Sequence, residues 1–253
     1  MLAIEFPPIS HLLNWPAFWM KDNEFFAVNK VALLMVIAAI AVAVFYIAAG
    51  RKAQLVPTGV QNIAESAIDF VRNGIILETA GPDGLPYMPL LLTLFSFIFA
   101  LNLFEIIPVA QMPPNARIAL PMFMAIVVWL VYNAIGMVKQ GPLHYFKNIA
   151  FPPGVPKPIY LLVTPIEIVS VLLVRPLSLA VRLFANLLAG HLILVSFAIL
   201  AEALFKSTVI GVIAPFGMLV ALTGFELLVA FLQAYIFTIL TSVYIGGALH
   251  PDH

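Results

Sequence analysis

Arg182 is a permanent charge in a stretch with almost nothing else polar. Residues 177–200 read LSLAVRLFANLLAGHLILVSFAIL, and no Lys, Arg, Asp or Glu follows Arg182 until Glu202. An arginine at membrane depth costs about 2.5–3.5 kcal/mol on insertion scales. It stays protonated in proteins, so it cannot escape that cost by losing its charge. It needs a carboxylate, a headgroup or water, and no acid lies three or four residues away. The small residues Ala185, Ala189 and Gly190 leave room for a neighbour that carries the counter-charge.

Other polar residues recur at helical spacing around it. Asn186 lies one turn beyond Arg182, and Ser178 one turn before it, on the same stripe. Glu226, Gln233 and Tyr244 share a stripe too, because spacings of seven and eleven nearly return to the same angle. His191, nine residues beyond Arg182, points about half a turn away. Arg182 thus supplies a fixed cation on one face, while His191 and Glu226 supply groups that can titrate near neutral pH. Such a set suits proton transfer. Taken alone, a membrane histidine or glutamine also serves as a helix–helix hydrogen-bond partner. Glu167 can pair with Arg175, eight residues on, as structural glue. Glu105, close to the end of a span, reads as interfacial.

These residues need long apolar helices to carry them. The chain is 63% hydrophobic and only 9% charged, against about 25% charged in soluble domains. It is therefore an all-α membrane protein. The zero formal charge points to no nucleic acid, and the lack of cysteine excludes disulfides and thiolate metal sites. The N-terminus has no signal-peptide pattern and reads as a mature end.

Residues 1–30 form an interfacial segment, with Trp15, Phe18 and Trp19 at headgroup level. Spans are expected at residues 31–50, 87–107 and 118–138. Residues 56–80 read as an amphipathic surface helix, capped by Thr58, with Val60, Ile63, Ala64, Ala67, Ile68 and Val71 on its apolar face. Gln61, Glu65, Asp69, Arg72 and Asn73 fill the other face. Residues 141–158 read as a loop with an interfacial stretch at 145–151.

Residues 159–205 and 208–249 are each too long for one upright crossing. At 1.5 Å per residue each would reach about 60–70 Å, twice the hydrocarbon thickness. They are read as two long tilted helices, bent at Pro165, Pro176 and Pro215. With a turn near Lys206, facing residues have numbers summing to about 414 if the two helices are antiparallel. Arg182 then lies opposite Gln233, and His191 within a turn of Glu226. Arg51, Lys52, Arg72, Lys139, Lys147 and Lys157 fall on one side of the five spans. The positive-inside rule makes that side cytoplasmic, with the N-terminus outside and the C-terminus inside.

The block RPLSLAVRLFANLLAGH at residues 175–191 resembles the signature of subunit a of F-type ATP synthases. LLVAFLQAYIFTILTSVYIGGALH at residues 227–250 is similar to that family's last helix. Asn102 in LNLFEIIP fits its N-L-x-x-x-x-P pattern. The resemblance implies a tilted helical hairpin curved against a ring of c subunits at the Arg182 face, peripheral-stalk b-type subunits as further partners, and no cofactor. It implies that Arg182 is the family's essential arginine, accompanied by Asn186 and Gln233. His191 and Glu226 match an acid–histidine pair that is reversed in some members. Glu167 stands near the family's cytoplasmic acidic position, one residue further from Arg175-Pro176 than the family pattern has it. Glu105 replaces a frequent glycine. The implied role is non-catalytic proton conduction through two offset half-channels, in a bacterial inner membrane or an organelle's energy-transducing membrane. Two other classes fit less well. A secondary transporter commonly shows inverted repeats, and none is visible. An intramembrane protease needs a nucleophile or metal constellation, and there is no HExxH and no serine–histidine pair in one stripe.

Overall fold

A computed structural model describes residues 30–51, 54–107, 114–151, 159–207 and 213–250. The N-terminal interfacial segment, Lys52, Pro108, Pro113, Lys157 and the final three residues lie outside these. The protein is an all-α membrane protein. The helices are α1 (Lys30–Arg51), α2 (Val60–Val71), α3 (Met88–Leu103), α4 (Ala119–Gln140), α5 (Pro142–Ala150), α6 (Tyr160–Val169), α7 (Arg175–Ser207) and α8 (Ile213–Leu249). Five stretches among the described residues are long and apolar enough to cross a membrane: Lys30–Arg51, Pro82–Leu103, Ala119–Gln140, Tyr160–Phe205 and Ile213–Leu249.

The described residues gather into two compact units. One draws on residues 30–43, 97–107, 114–117, 183–207 and 213–234, the other on residues 44–51, 54–96, 118–151, 159–182 and 235–250. In the first, Asn102 and Asn115 are fully buried. Asn115 Nδ2 donates to Asn102 Oδ1 at 2.8 Å, and Asn102 Nδ2 donates to the Ala230 carbonyl at 3.2 Å. Phe99 and Phe231 meet edge-on beside this chain of bonds, with centroids 6.1 Å apart.

In the second unit, α2 is entered through a different cap from the one expected. Gly59, at φ 56°, precedes the helix and no side chain caps it, so Thr58 does not. Gln61 instead makes two bonds with Gln54, accepting from its N–H at 3.0 Å and donating to its carbonyl at 2.9 Å. That folds the incoming chain back on the helix and lets Gln61 be buried. The buried side of α2 is therefore Gln61, Ala64 and Val71, while Val60 and Ile63 are exposed. The helix widens to a π-turn at Arg72–Ile76, where the Leu77 N–H reaches back five residues to Arg72. Thr79 then donates to Ser242 Oγ at 2.6 Å. A Cβ on Gly246 would sit 2.9 Å from the Thr79 carbonyl, so only glycine lets α8 come this close.

Residues 142–150, read as loop, are a helix. Gly141 at φ 81° turns the chain, and Pro142 starts α5 where its missing N–H costs nothing. Burial pushes the Tyr145 phenol above its ordinary value. It stays neutral and donates to Asn133 Oδ1 at 2.9 Å.

α2 and its extension are not among the stretches able to cross a membrane. Arg51 and Asp83 are both exposed. Single cysteines at these two positions should react with a membrane-impermeant maleimide from the same side of sealed vesicles. Labelling from opposite sides would add a crossing between them.

Candidate functional site

The residues singled out in the sequence fall into two clusters, one in each unit. In the first unit, His191 on α7, Glu226 on α8 and Glu105 just after α3 are all at least 93% buried, with 7%, 6% and 7% exposure. Their closeness begins with Gly190, whose missing Cβ leaves the space that the Glu226 carboxyl group occupies. Any larger residue there would collide with it.

Glu105, read from the sequence as lying near a span end, is buried within the protein. The turn after α3, with the Glu105 N–H donating to the Asn102 carbonyl at 3.1 Å, folds it inward. Its Oε1 lies 3.9 Å from His191 Nδ1, within ion-pair reach once the ring is protonated. The expected partner of His191 was Glu226. The carboxylate at ion-pair distance is Glu105, with Glu226 against the neighbouring glycine. Glu105 Oε1 and Glu226 Oε2 have no hydrogen-bond partner among the described residues. Buried side-chain oxygens are seldom left so, and a functional role or bound water is the usual account. Sequence reading missed Glu105 because it weighed the distance to the span end and not the turn that aims the side chain. The signal available was its place three residues after Asn102.

Gln233 is buried in the same unit, and Asn186 is exposed. Arg182 is exposed as well, and no hydrogen bond or ion pair engages it among the described residues. Exposed Asn186 and partly accessible Ser178 lie one turn to either side of it on α7, with apolar Val181 and Ala185 exposed beside it. Neither a serine nor an asparagine carries a charge, so the guanidinium is uncompensated by the described residues.

In the second unit, a cavity of about 390 Å³ is lined by Ser170, Val174, Arg175, Ser178, Val243, Tyr244 and Gly247. Arg175 Nη2 donates to Glu167 Oε1 at 3.2 Å. The guanidinium carbon also lies 5.3 Å from the centre of the Tyr244 ring, a cation–π contact. Glu167, Ser178 and Tyr244 therefore come together around Arg175, each partly accessible. No group of acids and histidines that could hold a metal ion occurs among the described residues.

The family model described as ATP synthase A chain matches residues 32–246. Among curated proteins, the chain is 45% identical to ATP synthase subunit a of Frankia alni over 228 residues, 89% of this chain and 79% of the relative. It is 39% identical to ATP synthase subunit a of a Nocardioides species over 260 residues, 98% and 94% of the two chains. To ATP synthase subunit a of Rhodopseudomonas palustris it is 42% identical over 228 residues, 89% of each chain.

The asparagine pair makes a stability prediction. Asn102→Leu leaves the Asn115 amide without its buried partner and removes the second bond on the Ala230 carbonyl, which keeps its helical donor, at a cost of about 1–3 kcal/mol for the stranded amide. The variant should unfold at lower temperature in detergent than wild type, and Asn102→Leu with Asn115→Leu should recover part of the loss. Equal melting of wild type and the single variant would show that the bonds carry no stability.

Proposed function

This chain belongs to the ATP synthase A chain family, and we propose that it is the fixed partner of a rotating ring, conducting protons to and from the ring's carboxylates. The observation that carries this reading is Arg182: exposed on an otherwise largely apolar helix and engaged by no group of its own chain among the described residues. Its counter-charge then comes from another subunit. A ring carboxylate facing Arg182 is held ionised by the cation. Turned into lipid it must be neutral, because an ionised carboxylate in hydrocarbon is too costly. Arginine does not release its proton, so protons cannot pass directly beside it. They enter on one side, ride the ring and leave on the other.

Two observations support separate routes. His191, Glu105 and Glu226 form a buried cluster of exchangeable groups, which we assign to the outer route. The cavity lined by Arg175, Ser178 and Tyr244, together with Glu167 paired to Arg175, is assigned to the cytoplasmic route, on the side richer in Lys and Arg. Asn186, one helical turn beyond Arg182, and Gln233 are assigned to proton translocation as well. The chain forms and breaks no bonds itself. It works with the ring and with b-type stalk subunits in a bacterial inner membrane, N-terminus outside.

Arg182→Ala should abolish ATP-driven proton pumping in inverted membrane vesicles while the complex still assembles, and Arg182→Lys should fail in large part. Vesicles stripped of their catalytic heads should leak protons faster with Arg182→Ala than with wild type. Wild-type pumping by either variant would refute the assignment.

His191→Glu and Glu226→His each place like groups together and should slow pumping about tenfold or more, equivalent to 1.4 kcal/mol per decade. The double exchange should recover part of it, with a coupling of about 0.5–3 kcal/mol. Glu105→Gln should change the size of that coupling, since Glu105 is the carboxylate near His191. Rates that simply multiply across the four variants would remove the pair from the route.

A further inference from the structure

Between α6 and α7 the helix opens into a π-turn, Ser170–Val174. In this turn the Arg175 N–H reaches back five residues to the Ser170 carbonyl. The next residue, Pro176, has no N–H to offer. The Val171 carbonyl therefore loses both helical donors that could have reached it, at positions 175 and 176. Two side chains from α4 replace them. Trp129 Nε1–H donates to the Val171 carbonyl at 3.0 Å, and the Tyr132 hydroxyl donates to it at 3.2 Å. The two donors are three residues apart, so they share one face of α4. Tyr132 is 2% exposed and Val171 3%, so water does not compete.

The turn also decides which residues face the cavity. In a regular α-helix, residues eight apart differ by about 80° in direction, whereas residues seven apart lie within about 20°. A π-turn absorbs one residue. Glu167 and Arg175, eight apart in sequence, thereby sit as if seven apart and meet at 3.2 Å. This accounts for the additional residue between Glu167 and Arg175-Pro176. The Tyr132 ring continues the support, packing 5.5 Å from Tyr244, on which Arg175 lies.

We propose that Trp129 and Tyr132 are positioning residues: by holding the Val171 carbonyl they fix the wide turn that brings Glu167 and Arg175 onto one face at the cavity. The proposal rests on the reading of that cavity as part of a proton route.

The test measures initial rates of ATP-driven acidification in inverted vesicles, normalised to assembled complex. Trp129→Phe with Tyr132→Phe strands a buried carbonyl and should slow pumping roughly fivefold or more. Deleting Val169, an exposed residue ahead of the turn, returns the segment to a regular helix with Glu167 and Arg175 seven apart and the Arg175 N–H on the Val171 carbonyl. That variant should pump within about twofold of wild type, and adding the two Phe substitutions should cost less than a further twofold. An equal cost in both backgrounds would overturn the proposal, as would an assembled deletion variant that does not pump. If the deletion prevents assembly, Tyr132→Phe decides. It should slow pumping in wild type and have no added effect beside Glu167→Gln, and additive losses would overturn the proposal. Wild-type pumping by Glu167→Gln at every pH from 6 to 9 would instead sink the proton-route reading.

Discussion

Hydrocarbon solvates neither charges nor unpaired backbone groups, and the rest of this structure follows from that. Each polar residue at depth must find a partner in the chain, in another chain or in water. Most find one in the chain: Asn102 with Asn115 and Ala230, Thr79 with Ser242, Trp129 and Tyr132 with Val171. The few that do not are the informative ones. Among the described residues these are the unengaged guanidinium of Arg182, the bare carboxylate oxygens of Glu105 and Glu226, and the Asn115 Oδ1 left over from its bond to Asn102. The same rule that stabilises the helices thus marks where something else must act on them.

Small residues and wide turns set how closely these groups approach. Gly190 admits the Glu226 carboxyl group, Gly246 admits Thr79 and Ala80, and Gly136 leaves the space filled by the Tyr145 ring. None of these three is at a positive φ. They are chosen for the volume they do not fill. The π-turns at Arg72–Ile76 and Ser170–Val174 act in rotation instead, re-aiming the residues on either side by a fraction of a turn.

The all-α membrane fold was legible because hydropathy over about twenty residues is a strong signal and depends on nothing distant. The five long apolar helices were readable for that reason, as was the helical spacing that puts Arg182 with Asn186. What was not legible depended on a side chain's aim. Glu105 was read by its distance from a span end, but the turn after α3 carries it inward. Gln61 was placed with the polar face, but its paired bonds with Gln54 let it be buried. The one-residue excess before Arg175 was visible in the sequence. Its meaning needed the π-turn, because spacing alone does not say whether an added residue rotates the helix or is absorbed by it. Trp129 and Tyr132 were unreadable as partners of Val171, since helical periodicity does not reveal which carbonyl lacks a donor.

The bonds around Asn102 also bear on the order in which the chain is made. The Ala230 carbonyl lies 128 residues further along, but Asn115 is only 13 away. As synthesis proceeds from the N-terminus, α3 enters the membrane long before α8 exists. The short-range bond gives both side chains a partner during that interval. When α8 arrives, one Asn102 N–H is still available to bind it. A polar residue tolerated early by a local partner thus becomes the docking point for a helix made much later.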